Sequence, residues 1–262
     1  MKKYLIINAD DFGLSPAVNR GIMKLHRAGV VSSATIMVNM PGFGEAVRLA
    51  RKASRLGVGL HFNLSYGEPL CAPDEVQSLV NEQGAFSEDV EGWREEEVAR
   101  ELAAQWQRLV DAGISPTHLD SHRHMQVHAV VYRPLEALAR REGLPLRRVE
   151  GEPVLDGPRP PCADYTFLNT YFQSGGKELL LDTLESLQPG VSELMCHPGY
   201  VDEVLKGLSS WTHVRRAELA VLSNPEVKST LTRLGIHLIN YRQMMRLGKR
   251  KGKRGPNAQQ DT

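Results

Sequence analysis

A chain of 262 residues, 41% hydrophobic and 24% charged, is long enough for one large α/β domain or two small ones and excludes a disordered, collagenous or membrane-embedded protein. Its 32 basic and 31 acidic side chains leave a net charge of +1, which gives no reason to expect nucleic acid or a membrane as a partner of the folded body. Three scattered cysteines, Cys71, Cys162 and Cys196, exclude a disulfide framework and a CxxC zinc site, and without a secretory-type leader or a run of ~18 apolar residues the expected setting is the cytoplasm.

Strands and helices are predicted to alternate along the chain. Tyr4 to Asn8 is a short apolar strand; Ser15-Pro16 then caps a helix running to about Ala28, closed by Gly29. The β-branched Val30 to Asn39 is a second strand, Glu45 to Leu56 a helix, and the alternating Val58 to Leu64 a third strand. Residues 65–93, rich in Gly, Pro, Asn and Asp, read as an excursion over the barrel mouth or a lid. A helix from Glu95 to Asp111 follows, then a short strand over Pro116 to His122, a helix from Ala129 to Arg141 and a strand in "LPLRRVE" (144–150). A helix from Lys177 to Leu187, the strand "SELMCHP", a helix pair between His213 and Leu234 and "IHLINY" complete the pattern.

This alternation implies a mainly parallel sheet with right-handed crossovers. About seven strands with outer helices fit a distorted, TIM-barrel-like (β/α) barrel occupying residues 1–245 as a single domain. No GxGxxG follows the first strand, which argues against a dinucleotide fold. Residues 246–262, basic and then polar, are expected to form a disordered, solvated tail.

In a parallel barrel the C-terminal strand ends share one face, where the active site lies. Asp10 and Asp11 end strand 1, His61 sits late in strand 3, Asp120, His122 and His124 cluster in "THLDSHRH", and His197 ends "ELMCHP". Each has an ordinary alternative, turn chemistry for the acids and a satisfied core histidine for His61. Four strands delivering acids or imidazoles to one rim would need four coincidences. Residues two apart on a strand share a face, so Asp120, His122 and His124 are expected to project together.

Two imidazoles and a carboxylate make a common catalytic metal shell with positions left for water and substrate. One acid of the 10/11 pair can then bind the ion while its neighbour takes a proton, and the cation offsets the cost of holding both charged. A Cys196–His197 nucleophile is disfavoured because adjacent strand residues point to opposite faces. No G-x-S-x-G elbow is present. A glycosidase pair, Asp10 with Asp120, would leave the histidines unexplained.

"NADDFG", "GLHFNL", "THLDSHRH" and "MCHPGY" resemble, in order and spacing, the motifs of the YdjC-like carbohydrate deacetylases, whose best-known members are the chitooligosaccharide deacetylases. The resemblance runs from Lys3 to about Tyr241. It implies a distorted (β/α) barrel that removes an N-acetyl group from a small amino sugar with one divalent ion, magnesium in the family. It further implies Asp11, His61 and His122 as metal ligands and Asp10 as general base. His197 is the candidate acid for the departing amine, with His124 as its rival and Asp120 behind a neighbouring imidazole. Gln126 stands where family members often carry a further histidine. Two imidazoles suit zinc, cobalt or manganese better than magnesium.

Tyr66, Trp93 and Tyr200 are candidates to stack on sugar rings. A homodimer is compatible with this reading. Its rivals are a metal-dependent phosphoesterase or other amidohydrolase on the same barrel, and a non-catalytic carbohydrate-binding protein that keeps the ion for structure.

Overall fold

The computed structural model describes residues 2–87, 89–168 and 176–252, with side chains to residue 248. Strands β1 (Lys3–Phe12), β2 (Ser33–Ile36), β3 (Gly57–Phe62), β4 (Leu119–Ser121), β5 (Tyr165–Phe167), β6 (Gly190–Cys196) and β7 (His237–Leu238) form one sheet. Its order is β4-β3-β2-β1-β6-β5, with β7 paired to the start of β1, and every pair is parallel. Around it run α1 (Pro16–Arg27), α2 (Phe43–Lys52), α3 (Glu95–Asp111), α4 (Ala129–Glu142), α5 (Gly176–Ser186), α6 (Glu203–Leu208), α7 (Thr212–Leu222), α8 (Pro225–Arg233) and α9 (Tyr241–Gly252). The sheet ends at β4 on one side and β5 on the other, so the expected barrel is realised as an open one.

Strand β1 is its axis. Alternation sends Leu5, Ile7 and Ala9 into the main core, while Ile6 packs with Ile239, Tyr241 and Met244 in a second cluster on the opposite face. Asn8 and Asp10 follow Ile6 on that inner face. Helix α1 begins as the sequence predicts: the Ser15 side chain accepts from the Val18 amide and Pro16 opens the first turn.

The strand predicted in 144–150 does not form. Pro145 has no amide to donate and only Leu146 bridges to Leu119. An unforeseen three-residue strand, β5, forms instead at the opposite edge of the sheet, against β6. The 65–93 excursion is held down rather than free. Buried Glu101 of α3 accepts from the amides of Leu70 and Cys71, Glu97 accepts from Ser78, and Val76, Leu79 and Phe86 enter the core. Helix α9 runs past residue 245 and takes in the start of the expected tail. The remainder of that tail, 253–262, lies outside the described residues. Among the described residues no helix is long and apolar enough to cross a membrane.

Candidate active site at the strand ends

Two adjacent strand residues should face opposite ways, yet Asp10 and Asp11 both reach the same site. The backbone explains it. The pairing of β1 with β2 slips by one residue between Ala9 and Phe12, and Asp11 adopts a left-handed φ of 65°. Asp is among the few side chains that tolerate this region. The other described non-glycine residues with positive φ are Arg123 and His124, at 53° and 54°, so all three lie in the motifs that carry the site.

These angles also correct the expected route of the histidine cluster. Strand β4 ends at Ser121, and residues 122–127 turn in a short 3₁₀ segment kinked at Arg123 and His124. His122 therefore reaches the site from this turn rather than by strand alternation with Asp120. Its Nε2 lies 3.9 Å from Asp11 Oδ1.

His61 is the hub. Its Nδ1 is 2.6 Å from Asp120 Oδ1 and its Nε2 is 3.3 Å from Asp11 Oδ1. Burial works against its charge, but Asp120 and Asp11 raise its pKa to about 10. Burial takes His122 the other way, down to about 3 despite Asp11. His122 Nδ1 lies 2.6 Å from the Ser65 hydroxyl; in the tautomer that donates there, the Nε2 lone pair is left facing Asp11.

Neither aspartate depends on an ion to offset its charge, as the sequence suggested. Arg147 Nη1 and Nη2 fork onto Asp10 at 2.6 and 2.7 Å, and Arg215 Nη2 donates to Asp11 Oδ2 at 2.6 Å. Burial would push both carboxyls up; the guanidinium beside each, together with the neighbouring histidines, outweighs it and holds both well below the usual range. Arg147 also pairs with Asp120 and Glu193, each at 2.8 Å, and Tyr241 donates to Glu193 from below. Buried Gln126 is far from idle: its side-chain amide donates to the Arg147 carbonyl at 2.9 Å, fixing the arginine's backbone.

Polar atoms of Asp10, His61 and Asp120 lie within 4.8 Å of one another, a donor set that could hold a metal ion. His197 leaves β6 with its amide donating to Glu218 and its Nδ1 buried without a partner. His124 Nδ1 is likewise unpartnered, and burial with Arg147 nearby pushes its pKa down to about 4. Cys196 donates its thiol to the Asn8 carbonyl at 3.4 Å and burial raises its pKa well above normal, so it is no nucleophile. Trp93 is only 6% exposed and cannot offer a sugar platform, while the Tyr66 ring lies 4.6 Å from His122 with the Arg123 guanidinium 5.1 Å over it.

The loop carrying His197 is held close to α1 and α7 through its backbone as well. Gly199 N donates to Arg215 O at 3.1 Å, and a Cβ on Gly21 of α1 would sit 2.7 Å from Gly199 Cα. Gly21→Ala should gain helix propensity in isolation. Here the backbone clash decides the sign: we expect a loss of roughly 1–3 kcal/mol, read as a lower Tm, with reduced turnover as His197 shifts.

Sequence reasoning missed Arg147, Glu193, Arg215, Glu218 and Asn8, whose side-chain amide donates to Asp10 Oδ1 at 2.8 Å. A signal existed for two of them. Arg215 and Glu218 are three apart on the same stripe of α7 as Leu219 and Leu222, where an amphipathic helix should be apolar.

Comparison with known proteins agrees with this geometry. The chain is 41% identical over 251 residues to a carbohydrate deacetylase of Geobacillus stearothermophilus, covering 94% of this chain and 100% of the relative. It is 38% identical over 259 residues to a chitooligosaccharide deacetylase of Klebsiella pneumoniae strain 342, covering 93% and 100%. Among solved structures, a candidate cellobiose-phosphate cleavage protein of Enterococcus faecalis V583 superposes with a TM-score of 0.84 at 32% identity, over 93% of this chain and 99% of that one. Since the family profile described as YdjC-like protein also matches residues 4–233, the chain belongs to the YdjC-like protein family.

Proposed function

We propose that this protein is a divalent-metal-dependent carbohydrate deacetylase that hydrolyses the N-acetyl group of a small amino sugar, of the chitooligosaccharide type named for its relatives. Asp11, His61 and His122 hold the ion, Asp10 is the general base and His197 the acid. One observation carries this reading. Asp11 Oδ1 is buried without a hydrogen-bond partner, 3.3 and 3.9 Å from the Nε2 atoms of two histidines. That oxygen, ionised and ion-paired with the protonated His61 Nε2 at 3.3 Å, fits a cation that would take the place of the histidine's proton.

The alternative cluster of Asp10, His61 and Asp120 is less suitable, because its donor atoms are already engaged. Asp10 is forked by Arg147, and Asp120 takes His61 Nδ1. Asp120 instead orients His61, the usual arrangement behind a ligating imidazole. Zinc, manganese or cobalt suits two imidazoles better than magnesium.

When bound, the ion polarises the amide carbonyl and acidifies a water. Asp10 is ionised at every pH near neutral, and although Asn8 and Arg147 fill Oδ1, Oδ2 takes only Arg147 Nη1 and keeps one lone pair to accept that water's proton. His197 then protonates the departing amine. His124 is the poorer acid, since its depressed pKa leaves no spare proton at neutral pH.

His61 supplies a separate check. With its pKa raised to about 10, metal-free His61 carries a proton that ion binding must displace, whereas His122 carries none. Titration calorimetry in buffers of different ionisation enthalpy should register about one proton released per ion at pH 8, with affinity falling as pH is lowered. No release would exclude His61 as a ligand.

The activity test is acetate release from N-acetylglucosamine oligomers, followed by NMR. Chelation should abolish it and added zinc, manganese or cobalt restore it. Phosphate release from sugar phosphates in its place would identify a phosphoesterase, and sugar binding without turnover a non-catalytic protein.

A further inference from the structure

Arg215 is an expensive residue with a narrow task. It is 2% exposed, donates through Nη2 to Asp11 Oδ2 at 2.6 Å, and leaves Nε and Nη1 without partners. Its helix is bolted to the end of β6 at two points, where Gly199 N donates to the Arg215 carbonyl and His197 N to Glu218. The guanidinium is thus fixed relative to the strand ends. Of the two Asp11 oxygens it takes Oδ2 and leaves Oδ1 toward His61 and His122.

How many oxygens a carboxylate can offer bears directly on which ion it suits. Calcium takes 6–8 oxygens, often with a carboxylate bound through both, at ~2.3–2.6 Å. Smaller ions that accept imidazole make do with fewer ligands and one carboxylate oxygen. A guanidinium is suited to holding a carboxylate in one plane, which an ammonium does not do.

We propose that Arg215 is a positioning residue for ion choice: by occupying Oδ2 it confines Asp11 to one-oxygen donation and biases the Asp11–His61–His122 cluster against calcium. This rests on reading that cluster as the ion site. Nothing in the relatives' names addresses it.

The test uses the full chain stripped of metal, with manganese and calcium titrated separately by calorimetry. For the wild type, manganese should bind much more tightly. In Arg215→Met the ratio of the calcium to the manganese Kd should fall by about tenfold or more as Oδ2 is freed. A merely structural role would weaken both ions by one factor, and an unchanged ratio in a folded variant overturns the proposal. Should Arg215→Met fail to fold, a crystal structure of the manganese-loaded wild type decides. Asp11 bound through Oδ1 alone, with Oδ2 still on Arg215, supports the proposal, and two-oxygen binding overturns it. A wild type that binds neither ion removes the metal-site reading itself, and this inference with it.

Discussion

Asp10→Asn is expected to lower kcat for acetate release by about 10²–10⁴-fold while ion affinity stays within a few-fold of the wild type. Asparagine keeps the volume of the side chain but cannot take a proton from water. Arg147 loses one carboxylate yet retains Asp120 and Glu193, each at 2.8 Å, so the fold should survive. The proposed ligands Asp11, His61 and His122 are untouched. Turnover by NMR and affinity by calorimetry separate the roles of the two acids. Activity within tenfold of the wild type would remove Asp10 as the base.

Arg147→Met is expected to act on stability first. It strips the shared cation from Asp10, Asp120 and Glu193, all 0–1% exposed. Breaking a buried pair by removing one partner costs about 3–5 kcal/mol, which for a domain of this size lowers Tm by roughly 6–20 °C. The deficit should depend on pH. In the wild type Asp10 has a depressed folded-state pKa, so its contribution is whole above the unfolded value of about 4 and is lost only as pH falls below it. Without Arg147, burial raises that pKa, and the variant regains stability as its carboxyls take protons. The gap in Tm should therefore narrow between pH 7 and about pH 4. A constant gap would mean that the arginine acts through packing rather than charge.

The residues proposed to ligate an ion or transfer protons were legible in the sequence because their placement breaks a pattern. Asp10 and Asp11 interrupt an apolar strand, and His61, Asp120, His122 and His197 fall where parallel strands end. The residues that hold these groups were not legible. Arg147 reads as an ordinary charge in a supposed strand, and its guanidinium meets Asp10 across 137 positions of sequence. Such a contact follows from topology and side-chain reach, neither of which has a local period. The convergence of Asp10 and Asp11 was expected from chemistry but for an incomplete reason: alternation alone forbids it, and the bulge with a left-handed Asp11 permits it. Boundaries failed where pairing rather than propensity decides them, as in 144–150, where only Leu146 meets the sheet, in a single bridge to Leu119.

The stack beneath the site ties its chemistry to the far end of the chain. Tyr241 lies outside the matched family segment, which stops at residue 233, yet it stacks on His118 at 3.9 Å and anchors the acid behind Arg147. The closing helix is thus a keystone rather than an appendage. A homologue whose final helix diverged could lose proton-transfer competence with every rim residue intact, and a comparison confined to the strand-end motifs would overlook the cause.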